Sequence, residues 1–152
     1  MSSATATAPL TEPEIRRAVD VWFAKLDVHA PTEEMLPLLA EDTLEMQFPE
    51  GPLKGQKAFI TWYEGVTRKF FDEIHVLESL DVKIDPDGSA ATVDLVVNWQ
   101  AHRWAPPSPK SQWLGFDAGQ TWVFKRSPRT GQPIIEVYRV TTFDPMEGSP
   151  PL

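Results

Sequence analysis

The run from Glu73 to Trp104, EIHVLESLDVKIDPDGSAATVDLVVNWQAHRW, constrains the fold of this chain more than any other stretch. It reads as two strands joined by a turn at Asp85-Pro86-Asp87-Gly88, residue types that favour turn geometry. In the first arm His75, Leu77 and Ser79 share one parity, whereas Leu80, Val82 and Ile84 share the other. A strand changes its apolar parity by inserting a residue, so a β-bulge is expected near Ser79–Leu80. In the second arm Ala91, Val93, Leu95, Val97 and Trp99 form one face, and Asp94, Val96, Asn98, Gln100 and His102 form the other. Of the three histidines in the chain, two, His75 and His102, stand near the open end of this hairpin. Simple alternation keeps His102 off the apolar face unless a bulge intervenes.

Helices precede the hairpin. Thr11 with Glu14 forms a capping-box pattern, and Pro13 falls in the first turn, where its missing N–H costs little. Ile15, Val19, Trp22 and Leu26 then lie on one helical face, with Asp27 at its edge near the helix end. Ala30-Pro31 breaks the helix, and Thr32 starts a second, short one to about Glu41, distorted or 3₁₀ near Pro37. Thr43 to Phe48 alternates as a half-buried strand, and Pro49-Glu50-Gly51-Pro52 reads as a turn. A third helix is expected over Gln56 to Phe71, with Phe59, Trp62, Tyr63, Val66 and Phe70 on its apolar face. After the hairpin come a Pro-rich loop between Trp104 and Trp113, a strand from Phe116 to Arg126, and a last strand from Ile134 to Phe143. The loop could cover the cup as a lid. Helices followed by a mostly antiparallel sheet give an α+β fold, the helices covering one sheet face and an aromatic-lined cup forming between the layers.

With 152 residues, 41% of them hydrophobic, one domain with a real core is expected. Residues 11 to 143 would make the domain, with a disordered tail at 1–10 and a second tail at 144–152. The net charge of −8 argues against nucleic acid, which needs basic patches, and against anionic membranes. Cysteine is absent, so thiolate metal sites and cysteine nucleophiles are excluded. The N-terminus lacks a basic region and an apolar core, and no apolar run approaches the roughly 20 residues of a membrane span. The expectation is a soluble cytoplasmic protein.

A strand ending in FPEG, the run LKGQKAFITWYEGV and then HVLESLDVKIDPDGSAATV resemble the SnoaL-like and ketosteroid isomerase-like proteins of the nuclear transport factor two-like superfamily. The resemblance implies a cone-shaped barrel, a curved sheet packed on three N-terminal helices. It also implies a homodimer, because this fold commonly leaves its outer sheet face to a partner. The branch containing scytalone dehydratase-like lyases carries a histidine at the start of one strand, a second late in the next, and an aspartate at the end of the first helix. His75, His102 and Asp27 occupy the matching places. The apparatus of ketosteroid isomerase does not carry over: its base falls on about Phe48, its tyrosine on about Trp22 and its second acid on about Gln120. An arginine between two aspartates, the epoxide hydrolase pattern, is not apparent either.

These residues imply cofactor-independent lyase, cyclase or isomerase chemistry on a hydrophobic, cyclic or polyketide-like molecule. An imidazole titrates near neutral pH and can both take and give a proton, and a carboxylate partner fixes its tautomer. His75 would be the acid/base, helped by His102 and Asp27, while Tyr63 and Gln120 polarise a carbonyl or hydroxyl. Trp22, Phe48, Phe59, Trp99, Trp104 and Trp122 would line the cup around a hydrophobic ligand. The alternative is a non-catalytic domain that uses the same aromatic cup for binding. Asp27, His75 and His102 could in principle form a two-histidine, one-carboxylate metal set. Their spacing is non-local and no short motif supports it, so neither metal nor other cofactor is expected.

Overall fold

A computed structural model describes residues 8–152. The chain order is α1 (Glu12–Asp27), α2 (Thr32–Met35), a 3₁₀ turn (Leu36–Leu38), β1 (Glu45–Phe48), β2 (Gly51–Lys54), α3 (Gly55–Lys69), β3 (Phe71–Ile84), β4 (Ala90–Arg103), β5 (Gln112–Arg126) and β6 (Pro133–Pro145). The strands form one sheet in the order β2-β1-β6-β5-β4-β3. Only the β1–β6 pair is parallel; the others are antiparallel. This is an α+β cone, a curved open sheet with three helices.

The short second helix gives way to 3₁₀ geometry at Leu36–Leu38, around Pro37, which cannot donate to a helical ladder. The bulge in β3 falls between Leu77 and Ser79, one residue before its expected place. Glu78 is the extra residue, and it moves the half-buried positions from 73, 75 and 77 to 80, 82 and 84. β4 pairs with β5 from Ala90 to Arg103 without interruption. No bulge therefore turns His102, and it stays on the face opposite Val97, Trp99 and Ala101.

Three expectations need correction. Gly51–Lys54 is a strand, not only a turn: Pro52 pairs with Gln47 on the sheet edge, where a missing N–H breaks no ladder. The N-terminal expectation of disorder fails for residues 8–10; residues 1–7 lie outside the described residues. Leu10 is buried, its N–H donates to the Gly88 carbonyl, and Arg126 binds the carbonyls of Ala8 and Pro9. Gly88 has φ +74°, and a Cβ there would come within 2.4 Å of Pro9, so the turn admits this strap because it carries no side chain. The C-terminal segment is also built in. Met146 N–H bonds Gly115 O, Ser149 Oγ accepts from Gly115 N–H, and Leu152 reaches the cup.

The core sits between α1, α3 and the concave sheet face. Trp22, Phe59 and Trp122 are fully buried there, with Trp22 5.9 Å from Phe59 and 6.4 Å from Trp122 between ring centroids. Burying such rings contributes about 1.5–3 kcal/mol each. The core is thus anchored immediately beneath the cup.

Candidate functional site

The cup is a cavity of about 90 Å³. One water needs roughly 10–15 Å³ by this measure, so the space suits a ligand of several heavy atoms. Its wall is mainly aromatic: Trp62 and Tyr63 on α3 with Phe70 just after it, and Phe48, Trp99, Tyr138 and Phe143 on the sheet. Phe48 and Trp62 stack at 3.9 Å between centroids, and Phe116 backs Phe143 at 4.2 Å. The wall residues with polar side chains are few: Glu50, Thr67, Glu73, His75, Gln120 and the two tyrosines, Tyr63 and Tyr138.

His75 arrives from β3 and Asp27 from the last position of α1. Their side chains meet with Nδ1 2.6 Å from Oδ1. A carboxylate only accepts, so Nδ1 carries the hydrogen and Nε2 is left as the basic nitrogen. The imidazole stacks on Phe23 at 5.2 Å and lies near Trp99 at 6.5 Å, and its side chain is only 10% exposed. Packing on both sides fixes the ring plane.

A second histidine–carboxylate pair lies beside the first. Glu73 Oε2 pairs with His29 Nε2, and Oε1 accepts the Trp99 indole N–H at 2.8 Å. Glu73, also 10% exposed, lines the cavity, whereas His29 stands behind it. The two pairs are crossed. Asp27 and His29, two residues apart at the end of α1, face His75 and Glu73, two residues apart on β3. Histidine reaches the cavity in one pair and carboxylate in the other.

Backbone strain builds the second pair. His29 has φ +50° where α1 ends. Its N–H bonds Leu26 O, and that of Ala30 bonds Lys25 O, a Schellman arrangement whose left-handed position normally takes glycine. Asp72, beside Glu73, also has φ +50°, and the β3–β4 register shifts between Phe71 and Ile74.

Of the other residues singled out from sequence, Phe48, Trp99 and Gln120 line the cavity, as does the Tyr63 ring. Tyr63 donates its hydroxyl to Ala30 O at 2.6 Å. Burial pushes its pKa up to about 12, with Glu73 and Glu34 adding in the same sense. Burial likewise pushes the Tyr138 phenol upward. Gln120 Oε1 accepts from Trp122 Nε1 at 2.8 Å and its amide nitrogen donates to the Tyr138 hydroxyl, which leaves one N–H to donate. Trp22, Phe59 and Trp122 belong to the core beneath, not to the wall. Trp104 is 53% exposed, its indole donating to Ser108 O away from the cavity. His102 is absent from the lining; its ring lies 6.2 Å from Phe71, and its Nδ1 is buried without a partner among the described residues. Among the described residues no three His, Asp or Glu side chains group as a metal site. No described helix is long and apolar enough to cross a membrane.

Sequence reasoning missed Glu73, His29, Tyr138 and Leu152. Glu73 had a usable signal, because it shares the parity of His75 two residues later. His29 had none: its position depends on a left-handed turn that no glycine announces.

No protein-family model matches the sequence, and no curated protein matches it as a relative. Solved structures do match. A candidate scytalone dehydratase from Novosphingobium aromaticivorans superposes with a TM-score of 0.72 at 19% identity, covering 88% of this chain and 86% of that one. A nuclear transport factor 2-like superfamily protein from Salmonella enterica gives 0.72 at 16% identity, covering 90% and 92%. The chain has the nuclear transport factor 2-like fold. A hexachlorocyclohexane dehydrochlorinase, 16% identical, superposes at 0.71 over 91% of this chain and 93% of its own. A dehydrochlorinase and a candidate dehydratase are thus among the neighbours in this fold. Identities this low carry the fold and not the reaction.

Proposed function

We propose that the chain is a cofactor-independent lyase of the dehydratase type, acting on a small hydrophobic cyclic molecule. The observation that carries this is the 2.6 Å contact of Asp27 with His75 at the cavity wall. His75 Nε2 removes a proton from the carbon beside a carbonyl. The C–H electron pair first forms the enolate of that carbonyl, and collapse of the enolate makes the C=C bond as the C–O bond of the hydroxyl on the next carbon breaks. The imidazolium returns its proton to the departing hydroxyl, which leaves as water. Asp27 stabilises the imidazolium between these steps, and the Gln120 amide donates to the developing enolate oxygen. The aromatic walls exclude water and hold a flat ring.

A wholly apolar cup would favour a binding domain; His75, Glu73 and Gln120 on its wall favour chemistry. The test is a panel of neutral cyclic β-hydroxyketones, followed by the absorbance of the enone product. Turnover of a panel member, lost by a factor of about 10²–10⁴ in His75→Gln, is the expected result. Turnover that survives this substitution unchanged overturns the mechanism.

A further inference from the structure

We propose that Glu73 sets the charge selectivity of the cavity, which takes neutral or cationic ring compounds bearing an O–H or N–H donor and rejects carboxylates. The inference rests on the reading of this cavity as the ligand site, but not on any proton transfer by His75.

Glu73 is a carboxylate on a wall that is otherwise largely aromatic. Each of its oxygens already has one fixed partner, Trp99 Nε1 on Oε1 and His29 Nε2 on Oε2. A carboxylate oxygen accepts two hydrogen bonds, so each keeps one lone pair for a ligand. The two existing bonds hold the group rigid, which lowers the ordering cost of binding. Among the described residues no lysine or arginine lines the cavity, and Glu50 on its wall adds a second negative charge. The Lys69 ammonium lies 5.3 Å from the Phe70 ring and is not part of the wall.

A ligand carboxylate entering this space would lose its hydration and face Glu73 with only neutral donors, Gln120 and Thr67, and a His75 imidazole already held by Asp27 to answer it. A ligand ammonium would instead meet a carboxylate on a wall rich in aromatic rings, which attract cations. A neutral alcohol would donate one hydrogen bond to Glu73.

The backbone argues that this placement is built rather than incidental. His29 and Asp72 both hold left-handed φ angles, a region that few residues other than glycine enter. One carries the partner of Glu73, and the other is its chain neighbour. Such strain persists where the surroundings over-determine it.

The experiment is calorimetric titration of the full chain with three ligands of one shape: 1-naphthalenemethylammonium, 1-naphthalenemethanol and 1-naphthoate. The ammonium is expected to bind at least about tenfold more tightly than the carboxylate, with the alcohol between them. In Glu73→Gln the ammonium and carboxylate should fall within about threefold of each other, while His102→Gln, outside the cavity, keeps the wild-type order. A carboxylate that binds wild type as well as the ammonium overturns the proposal, as does failure of all three to bind. An unchanged order in folded Glu73→Gln overturns it too. Should Glu73→Gln not fold, the wild-type comparison and His29→Gly decide together: His29→Gly keeps the carboxylate and must keep the ammonium preference. Selectivity without turnover would leave this inference standing and remove the lyase reading.

Discussion

His75 Nδ1 lies 2.6 Å from Asp27 Oδ1, and this contact assigns the two ring nitrogens different tasks. The hydrogen belongs on Nδ1 and the lone pair on Nε2. His29 should be the opposite tautomer when neutral, because its Nε2 meets the Glu73 carboxylate. Nitrogen-15 NMR of the imidazoles reads this directly. Wild type should show an Nδ1–H signature for His75 and an Nε2–H signature for neutral His29. Asp27→Asn should disturb the first and spare the second, and Glu73→Gln should do the reverse.

Tyr63 is bound to the backbone, so its hydroxyl should matter for stability more than for rate. Tyr63→Phe removes the 2.6 Å bond to Ala30 O and leaves that carbonyl short of a partner. A loss of about 1 kcal/mol in denaturant unfolding is expected, with turnover changed less than about threefold. Its pKa is raised from 10.0 to about 12, so its contribution is complete below pH 10 and is lost as the pH rises through 12. Alkaline unfolding of Tyr63→Phe should be correspondingly less steep.

Arg126 ties three parts of the chain together. Its guanidinium forks onto Glu14 at 2.7 and 2.9 Å and also reaches the Ala8, Pro9 and Gly131 carbonyls. The Arg126 side chain is the main reason the Glu14 pKa falls from 4.5 to about 2. A depressed carboxylate stabilises the fold above its unfolded pKa and loses that effect as pH falls. The loss should therefore run from about pH 4.5 down to 2, and Glu14→Gln should flatten the melting-temperature profile there. Arg126→Ala should cost about 1–3 kcal/mol at neutral pH, since it also frees three carbonyls.

His102 and Trp104 stand outside the cavity, so their removal should spare it. His102→Gln and Trp104→Ala are each expected to change turnover less than about threefold, read as kcat/KM on the same substrate. A loss comparable to that of His75→Gln would place His102 back in the reaction.

Much of the architecture was legible because it rests on local rules. Pro37 predicted its 3₁₀ turn, and the parity switch in β3 predicted a bulge one residue from where it lies. The Asp27–His75 pair came from resemblance, since nothing local joins residues 48 apart in sequence. The tryptophans were harder. Trp22 and Trp99 look alike in a pattern of inward faces, yet depth in the cone sends one to the core and the other to the wall. Glu73 was hidden by its charge, because a carboxylate beside a helix end reads as solvated. Its burial depends on Trp99 and His29, two partners that only the tertiary fold supplies. β2 was hidden by composition, because Gly51 and Pro52 signal a turn and only the sheet edge allows them a strand.

The most direct test of the central claim is the rate of wild type, His75→Gln and Asp27→Asn on one panel substrate, with folding of each verified by circular dichroism. The account predicts losses of about 10²–10⁴ for His75→Gln and a smaller loss, on the order of tenfold or more, for Asp27→Asn. Equal rates in all three proteins would contradict it.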